Sequence, residues 1–449
     1  MNNKVDLLSG PIDSTLRVFA LPLAISFVVH MLYAWVDTFY VSRLGPTSIA
    51  AIGISEQLIF FIFTLGGGFA IGSGIVVARK VGEGNQEKAD NTATQAIVLM
   101  FIYSSLLAIF LYLMTDIVLD MMNVKGELAY QSAQYLNAVV IGVPANYLIF
   151  QINAIVRSSG NSIFPMYMLL LGTSLNALLS PLLVFGLGPF PRLEIFGAGL
   201  ATSLAQLITV IVSVIALRRG YTPITITFRG FRFEFNIIKT IVRISIPTSL
   251  QFLSVSVNRL LLFTIANSFG TTVVAAYTLG LKVDLFVFMS IFAVGAAIEI
   301  VSGQNMGAGQ YERIFRYHKS AIKQLTWLMA FLGILVFFGG KYFSMIFTTD
   351  EKIISETVEY FRITAFSYIP FAIGIISTRV ISGAGDTKRS LKIVAFILII
   401  IQLPMAYIIS IHTSLEQTGI WISILTSQVL FAFFGFYSLI RKRWMSIKI

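Results

Sequence analysis

Gly82-Glu83-Gly84-Asn85-Gln86-Glu87-Lys88 and, 225 positions later, Gly307-Ala308-Gly309-Gln310-Tyr311-Glu312-Arg313 are two versions of one stretch. Each has a glycine pair, a polar residue and then an acid followed by a base. The same interval separates Arg157-Ser-Ser-Gly160-Asn161-Ser162 from Ser382-Gly-Ala-Gly385-Asp386-Thr387, Pro22 from Pro247, and Gly45 from Gly270. Further on it slips to 222, pairing Gly197 with Gly419 and Gln206 with Gln428. Repeated matches at one interval mark an internal duplication. Both glycine pairs follow an apolar run and lack a phosphate-loop lysine pattern, so they read as helix C-caps and turns.

What is duplicated is a set of membrane spans. Of 449 residues, 56% are hydrophobic and 12% charged, with a mean hydropathy of +0.83. Soluble proteins carry about 25% charge, so soluble classes are excluded. Apolar runs of bilayer-spanning length recur along the chain. We read twelve, the first near 15–42 and the last near 418–440. Asp6 and Asp13 upstream of the first run, with no small-residue cleavage pattern after it, exclude a signal peptide. Of the 32 basic residues, 24 fall in connections on one side and five (Arg43, Lys125, Arg192, Lys341, Lys352) on the other. That bias puts both termini in the cytoplasm and accounts for the net charge of +11, which leaves little weight for a nucleic-acid partner. There is no cysteine, hence no disulfide or thiolate metal site.

The Arg-rich stretch 218–237 divides the chain into two halves of six spans, 1–217 and 238–449. Six is even, so both halves share one orientation, related by an axis along the membrane normal. The expected fold is an all-α polytopic membrane protein of twelve transmembrane helices in two pseudo-symmetric six-helix lobes. Two lobes that rock about a central cavity make a transporter architecture.

The chain resembles the multidrug and toxic compound extrusion family over essentially its whole length. The likeness rests on Ala-Leu-Pro22, Val-Asp37-Thr-Phe-Tyr-Val-Ser-Arg-Leu-Gly45, Ala-Ile-Gly53, Val-Gly82-Glu-Gly84-Asn85, Gly303-Gln304-Asn305-Met-Gly307-Ala-Gly309 and Gly383-Ala-Gly385-Asp386-Thr387. It implies export of mostly cationic, amphipathic organic compounds in exchange for protons or sodium ions. It also implies that Asp37, Asn153, Asn176 and Thr202 belong to a cation site in the first lobe, and that Pro22 lies where the first helix bends when a cation binds. Where the family commonly has an aspartate before proline, this chain has Ser180-Pro181, which weakens the case for sodium and leaves proton coupling open. The acids that another branch carries on its seventh and tenth spans are absent; their places fall near Val255 and Phe371.

Duplication shows where one half has been specialised. Asp37 pairs with Leu262, Asn176 with Ile399 (a local interval of 223, set by Pro181 and Pro404) and Thr202 with Ile424. The polar set stands in the first half only. A carboxylate at mid-bilayer costs roughly 2.5–3.5 kcal/mol, so Asp37 calls for a role, against the plainer reading of a surface-level polar residue. Tyr33 and Asp37 are four apart and share a helix face, as do Asn176 and Ser180. A carboxylate with amide and hydroxyl oxygens suits a sodium ion at Asp37, Asn176 and Thr202. A desolvated carboxyl suits a proton instead. Glu56, at a depth similar to Asp37, is a candidate auxiliary acid; the plainer reading is a headgroup-level residue. Arg259 and Asp284, roughly 13 and 18 Å from the outer ends of adjacent spans, are read as a structural ion pair. Glu299 is read as a loop-side polar group.

His30, His318 and His412 have neither metal-ligand nor triad spacing, so enzymatic chemistry is not expected, and no cofactor beyond the coupling proton or sodium ion. The expected protein is a monomeric, multi-pass antiporter of a prokaryotic inner membrane, its partners small cationic amphipathic molecules and membrane lipid. The competing reading is a flippase for lipid-linked oligosaccharide or cell-wall precursors. Few intramembrane arginines, Arg259 the clearest, argue against it.

Overall fold

The computed structural model describes residues 4–447, and of residues 32–38 and 60–65 the backbone alone. Among the described residues there is no strand, and eleven stretches are long and apolar enough to cross a membrane. With the helix Pro46–Gly82 the order matches the twelve expected spans. The helices are α1 (Ile12–Val41), α2 (Pro46–Gly82), α3 (Gln86–Met121), α4 (Gly126–Ser158), α5 (Ile163–Phe185) and α6 (Glu194–Arg218). The second series is α7 (Phe235–Asn267), α8 (Thr271–Gly307), α9 (Tyr311–Met345), α10 (Glu351–Thr364), α11 (Tyr368–Gly383), α12 (Thr387–Ala395), α13 (Leu403–His412) and α14 (Thr418–Ile440). A 3₁₀ turn at Ala365–Ser367 joins α10 to α11 into one span, and a π-helical segment, Phe396–Gln402, joins α12 to α13.

The repeat is visible in the backbone itself. Gly45 and Gly270 have φ of 122° and 98°, Gly84 and Gly309 of 72° and 70°, and Gly160 and Gly385 of 94° and 97°. These left-handed values close helices at matching places in both halves, and a side chain there is strained. Side chains start the helices that follow: Asn85 accepts from the Lys88 N–H at 3.0 Å, and Asp386 from that of Arg389 at 3.3 Å.

The chain forms two compact units, cut at different places from the halves drawn by sequence. One takes the described residues up to Asp6 and Leu21–Ser249; the other takes Leu7–Ala20 and Leu250 onward. The linker belongs to the first because it is tied to α3. Asp90 accepts from the Thr225 N–H at 3.1 Å, while Gln86 and Gln95 donate to the carbonyls of Pro223 and Arg232 at 2.8 and 2.6 Å. The N-terminal arm belongs to the second because the Leu7 carbonyl accepts from Asn305, Arg313 and Tyr317, and Asp13 from Ser320. Both α1 and α7 change unit within three residues of their prolines, Pro22 and Pro247.

In the first unit α4 is the central helix. A Cβ built on Gly142 would stand 2.8 Å from the Ser203 Cα, and one on Gly199 2.7 Å from the Ala138 Cβ. With apolar side chains no more content in contact with each other than with lipid tails, small residues supply the close approach that holds membrane helices together. Ser203 seals the contact by donating to the Ala138 carbonyl at 2.7 Å. Gly142→Val is expected to cost about 1–3 kcal/mol by overpacking, read as a lower melting temperature in detergent. Gly53→Val, where the space is open, should leave melting near the parent value.

Candidate functional site

In the first unit, α5 and α6 bring two members of the expected polar set together. Asn176 donates from Nδ2 to the Thr202 Oγ1 at 3.0 Å. Asn176 is completely buried, Ser180 one turn further along α5 is equally so, and Thr202 and Asn153 are buried as well. Pairing is incomplete: the side-chain oxygens of Asn176 and Asn153 are buried with no hydrogen-bond partner among the described residues. A buried amide oxygen left bare costs about 1–3 kcal/mol unless a ligand, proton donor or water meets it. Such oxygens, beside hydroxyls, are hard ligands of the kind an alkali cation takes. Tyr33 and Asp37 lie outside the described side chains, on the backbone of α1. Glu56 is exposed on α2. Pro22 sits inside α1, and its carbonyl accepts from Ser26 at 2.8 Å, so the helix runs on through the proline.

The second unit corrects the expected ion pair. Asp284 on α8 is buried, and it accepts from the hydroxyls of Tyr360 and Tyr368 at 2.5 and 2.7 Å, one on each carboxyl oxygen. Arg259 is exposed, with its guanidinium 6.0 Å from the Phe263 ring centroid. Depth along two helices had suggested the pairing, but depth does not set the direction a side chain points. Two phenol hydroxyls fill the carboxyl group's coordination inside an aromatic core, where Trp421 lies 4.9 Å from Tyr360 and 5.4 Å from Tyr277. One signal for this was present in the chain. At the repeat interval Asp284 and Tyr368 match Ile59 and Val143, so these two are additions of the second half, while Tyr360 matches Tyr135.

Glu299 is likewise no loop-side group. It is buried, and its Oε2 accepts from Arg379 at 2.9 Å, while its Oε1 has no hydrogen bond among the described residues. Their counterparts 225 positions earlier are Gly74 and Ala154, again an addition to the second half. His318 exchanges a hydrogen bond with the Ser377 hydroxyl at 3.0 Å, and no metal-type cluster of acids and histidines occurs among the described residues.

These contacts separate two accounts of Asp284. Tyr368→Phe should cost about 1.5–3 kcal/mol, the range for a hydrogen bond to a charged group. Arg259→Gln should stay within about 0.5 kcal/mol of the parent, as an exposed side chain does. Thermal unfolding in detergent checks both; a buried ion pair would instead make Arg259→Gln cost about 3–5 kcal/mol.

The MatE family profile fits residues 22–182 and 247–408, two copies that begin 225 positions apart at the two prolines. The "Probable multidrug resistance protein YoeA" of Bacillus subtilis is 25% identical over 439 residues, covering 96% of this chain and 94% of that protein. The "FAD transporter" of Shewanella oneidensis is 26% identical over 412 residues, 90% of each. The solved structure of a MOP superfamily transporter from Pyrococcus furiosus superposes with a TM-score of 0.91 at 26% identity over the whole of both chains. With the family profile matched over both halves, the chain belongs to the MatE family of multi-pass membrane transporters, and its work is to move small molecules rather than to transform them.

Proposed function

We propose that this transporter is a secondary antiporter that exports organic cations in exchange for protons or sodium ions by alternating access. The observation that carries the reading is the one-sided polar set: a buried Asn176–Thr202 pair, its amide oxygen without a hydrogen-bond partner among the described residues, whose counterparts Ile399 and Ile424 are aliphatic. Scaffolding shared by both halves has no need of it. Asp37, four residues from Tyr33 on α1, supplies the charge, and Ser180, Asn153 and Thr202 supply neutral oxygens. Names among the relatives agree with drug export, "Probable multidrug resistance protein YoeA" being one.

The lobes, with both termini in the cytoplasm of a prokaryote's inner membrane, work as a monomer that opens alternately to either side. A cation at Asp37 acts by favouring one arrangement, and the drug by favouring the other. A ligand with equal affinity for the two states would drive nothing. Pro22 is the place for α1 to bend between them, because its missing N–H weakens the helix ladder there. Glu56, exposed on the next helix, is the reserve acid.

Reconstitution into proteoliposomes tests this, with a fluorescent organic cation as cargo and a proton or a sodium gradient imposed separately. One gradient should drive transport, and Asp37→Asn should reduce it to the level of empty vesicles. Asn176→Ala should reduce it about tenfold, the loss of one charge-assisted contact to the bound ion. Full transport by Asp37→Asn, or no response to either gradient, would sink the antiport reading. Because one relative is an FAD transporter, FAD is the parallel cargo; movement of FAD alone would reverse the sign of the substrate.

A further inference from the structure

One feature of the second unit has no part in the transport site. Beside the π-helical segment lies a groove of about 590 Å³, lined by Arg389, Lys392, Ile393, Ala395, Phe396, Ile399, Ile400 and Phe434. Its lining is divided by height. Arg389 and Lys392 stand toward the N-terminal end of the span Thr387–His412, and from Ile393 onward every lining residue is apolar. The span Thr387–His412 has a mean hydropathy of 2.5, the highest among the described spans. From Lys392 to Ile400 the helix climbs about 12 Å into that band at 1.5 Å per residue.

We propose that this groove binds an anionic glycerophospholipid, its phosphate held by Arg389 and Lys392 and one acyl chain lying along Phe396, Ile399, Ile400 and Phe434. Charge complementarity chooses the occupant. Lys388, Arg389 and Lys392 face a single carboxylate, Asp386, in this stretch. Asp386 Oδ1 caps α12, and its Oδ2 meets the Arg389 Nε as an ion-pair contact at 3.0 Å. That contact holds the guanidinium by one edge and leaves its Nη groups to serve the phosphate, for which an Arg fork is well shaped. A basic pocket between helices at the cytoplasmic surface is the setting in which anionic headgroups are held. An inorganic phosphate would leave the apolar two-thirds of the groove unfilled.

The site is not inherited from the repeat. At the 225 interval Phe164 and Tyr167 stand where Arg389 and Lys392 do. Helix α5 runs as an unbroken α-helix where the second unit has its π segment, Phe396–Gln402. A π segment widens one turn and is a frequent mark of function. Here it holds Phe396 6.1 Å from Phe434, ring edge to face, on the wall of the groove.

Native mass spectrometry of the purified transporter, offered phosphatidylglycerol or phosphatidylcholine with identical chains, tests the proposal. The parent should retain phosphatidylglycerol preferentially. The Arg389→Gln, Lys392→Gln double variant should lose that preference by about five-fold per basic residue, the weight of one cation near an anionic surface. Arg389→Lys should keep most of it. Ile399→Trp, which fills the apolar end, should lower phosphatidylglycerol retention with both cations in place. Size-exclusion elution and helical circular dichroism report folding of each variant. Equal retention of the two lipids by the parent, an undiminished preference in the double variant, or the same loss from Lys442→Gln with Arg443→Gln would overturn the assignment. So would displacement of the lipid by inorganic phosphate.

Discussion

A backbone in hydrocarbon has no water to fall back on, so every N–H and C=O inside the bilayer must be satisfied within the protein. The whole structure follows from that constraint. Helices are the answer for each span, and irregular backbone is confined to the ends, where glycines with positive φ and side-chain caps close and open them. Where the ladder is disturbed inside a span, a local device restores it. A 3₁₀ turn joins α10 to α11, and a π segment joins α12 to α13.

The same scarcity of partners makes polar side chains in the spans informative. Each buried one is either matched or waiting for something. Asp284 is matched, by two phenol hydroxyls, and Glu299 by Arg379 on one oxygen only. Asn176 is half matched, by Thr202, and its own oxygen, like that of Asn153, has no hydrogen-bond partner among the described residues. Satisfied groups specify packing. Unsatisfied ones remain able to meet a ligand, since a ligand gains free energy from partners not already taken.

The duplication explains why these groups can differ so much between the halves. Two copies of a six-span scaffold carry the same helix ends and the same turns, so any position that departs from its copy is free of that common duty. Four such departures stand out: the Asn176–Thr202 pair in the first unit, the Asp284 cluster and the Glu299 pair in the second, and the basic end of the α12 groove. The interval of 225 also slips to 223 between Thr387 and Pro404, the stretch that holds the π segment.

Much of the architecture was legible in the chain alone. Span length, charge bias and the 225-residue interval depend on local composition and spacing, and the bilayer converts those directly into helices. Sequence comparison of the halves likewise singled out Asn176 and Thr202 together, because an asymmetric polar residue in an apolar repeat is visible without coordinates. What tertiary structure decided was direction and membership. Arg259 and Asp284 share a depth yet do not meet, since depth along an axis leaves the rotation about it open. Tyr360 and Tyr368 reach Asp284 only because a turn between α10 and α11 and the packing of α8 bring them there. Leu7–Ala20 joins the second unit and the linker joins the first through hydrogen bonds between residues more than a hundred positions apart. Local chemistry sets which helices form; which groups face each other is set by packing, a property of the whole chain.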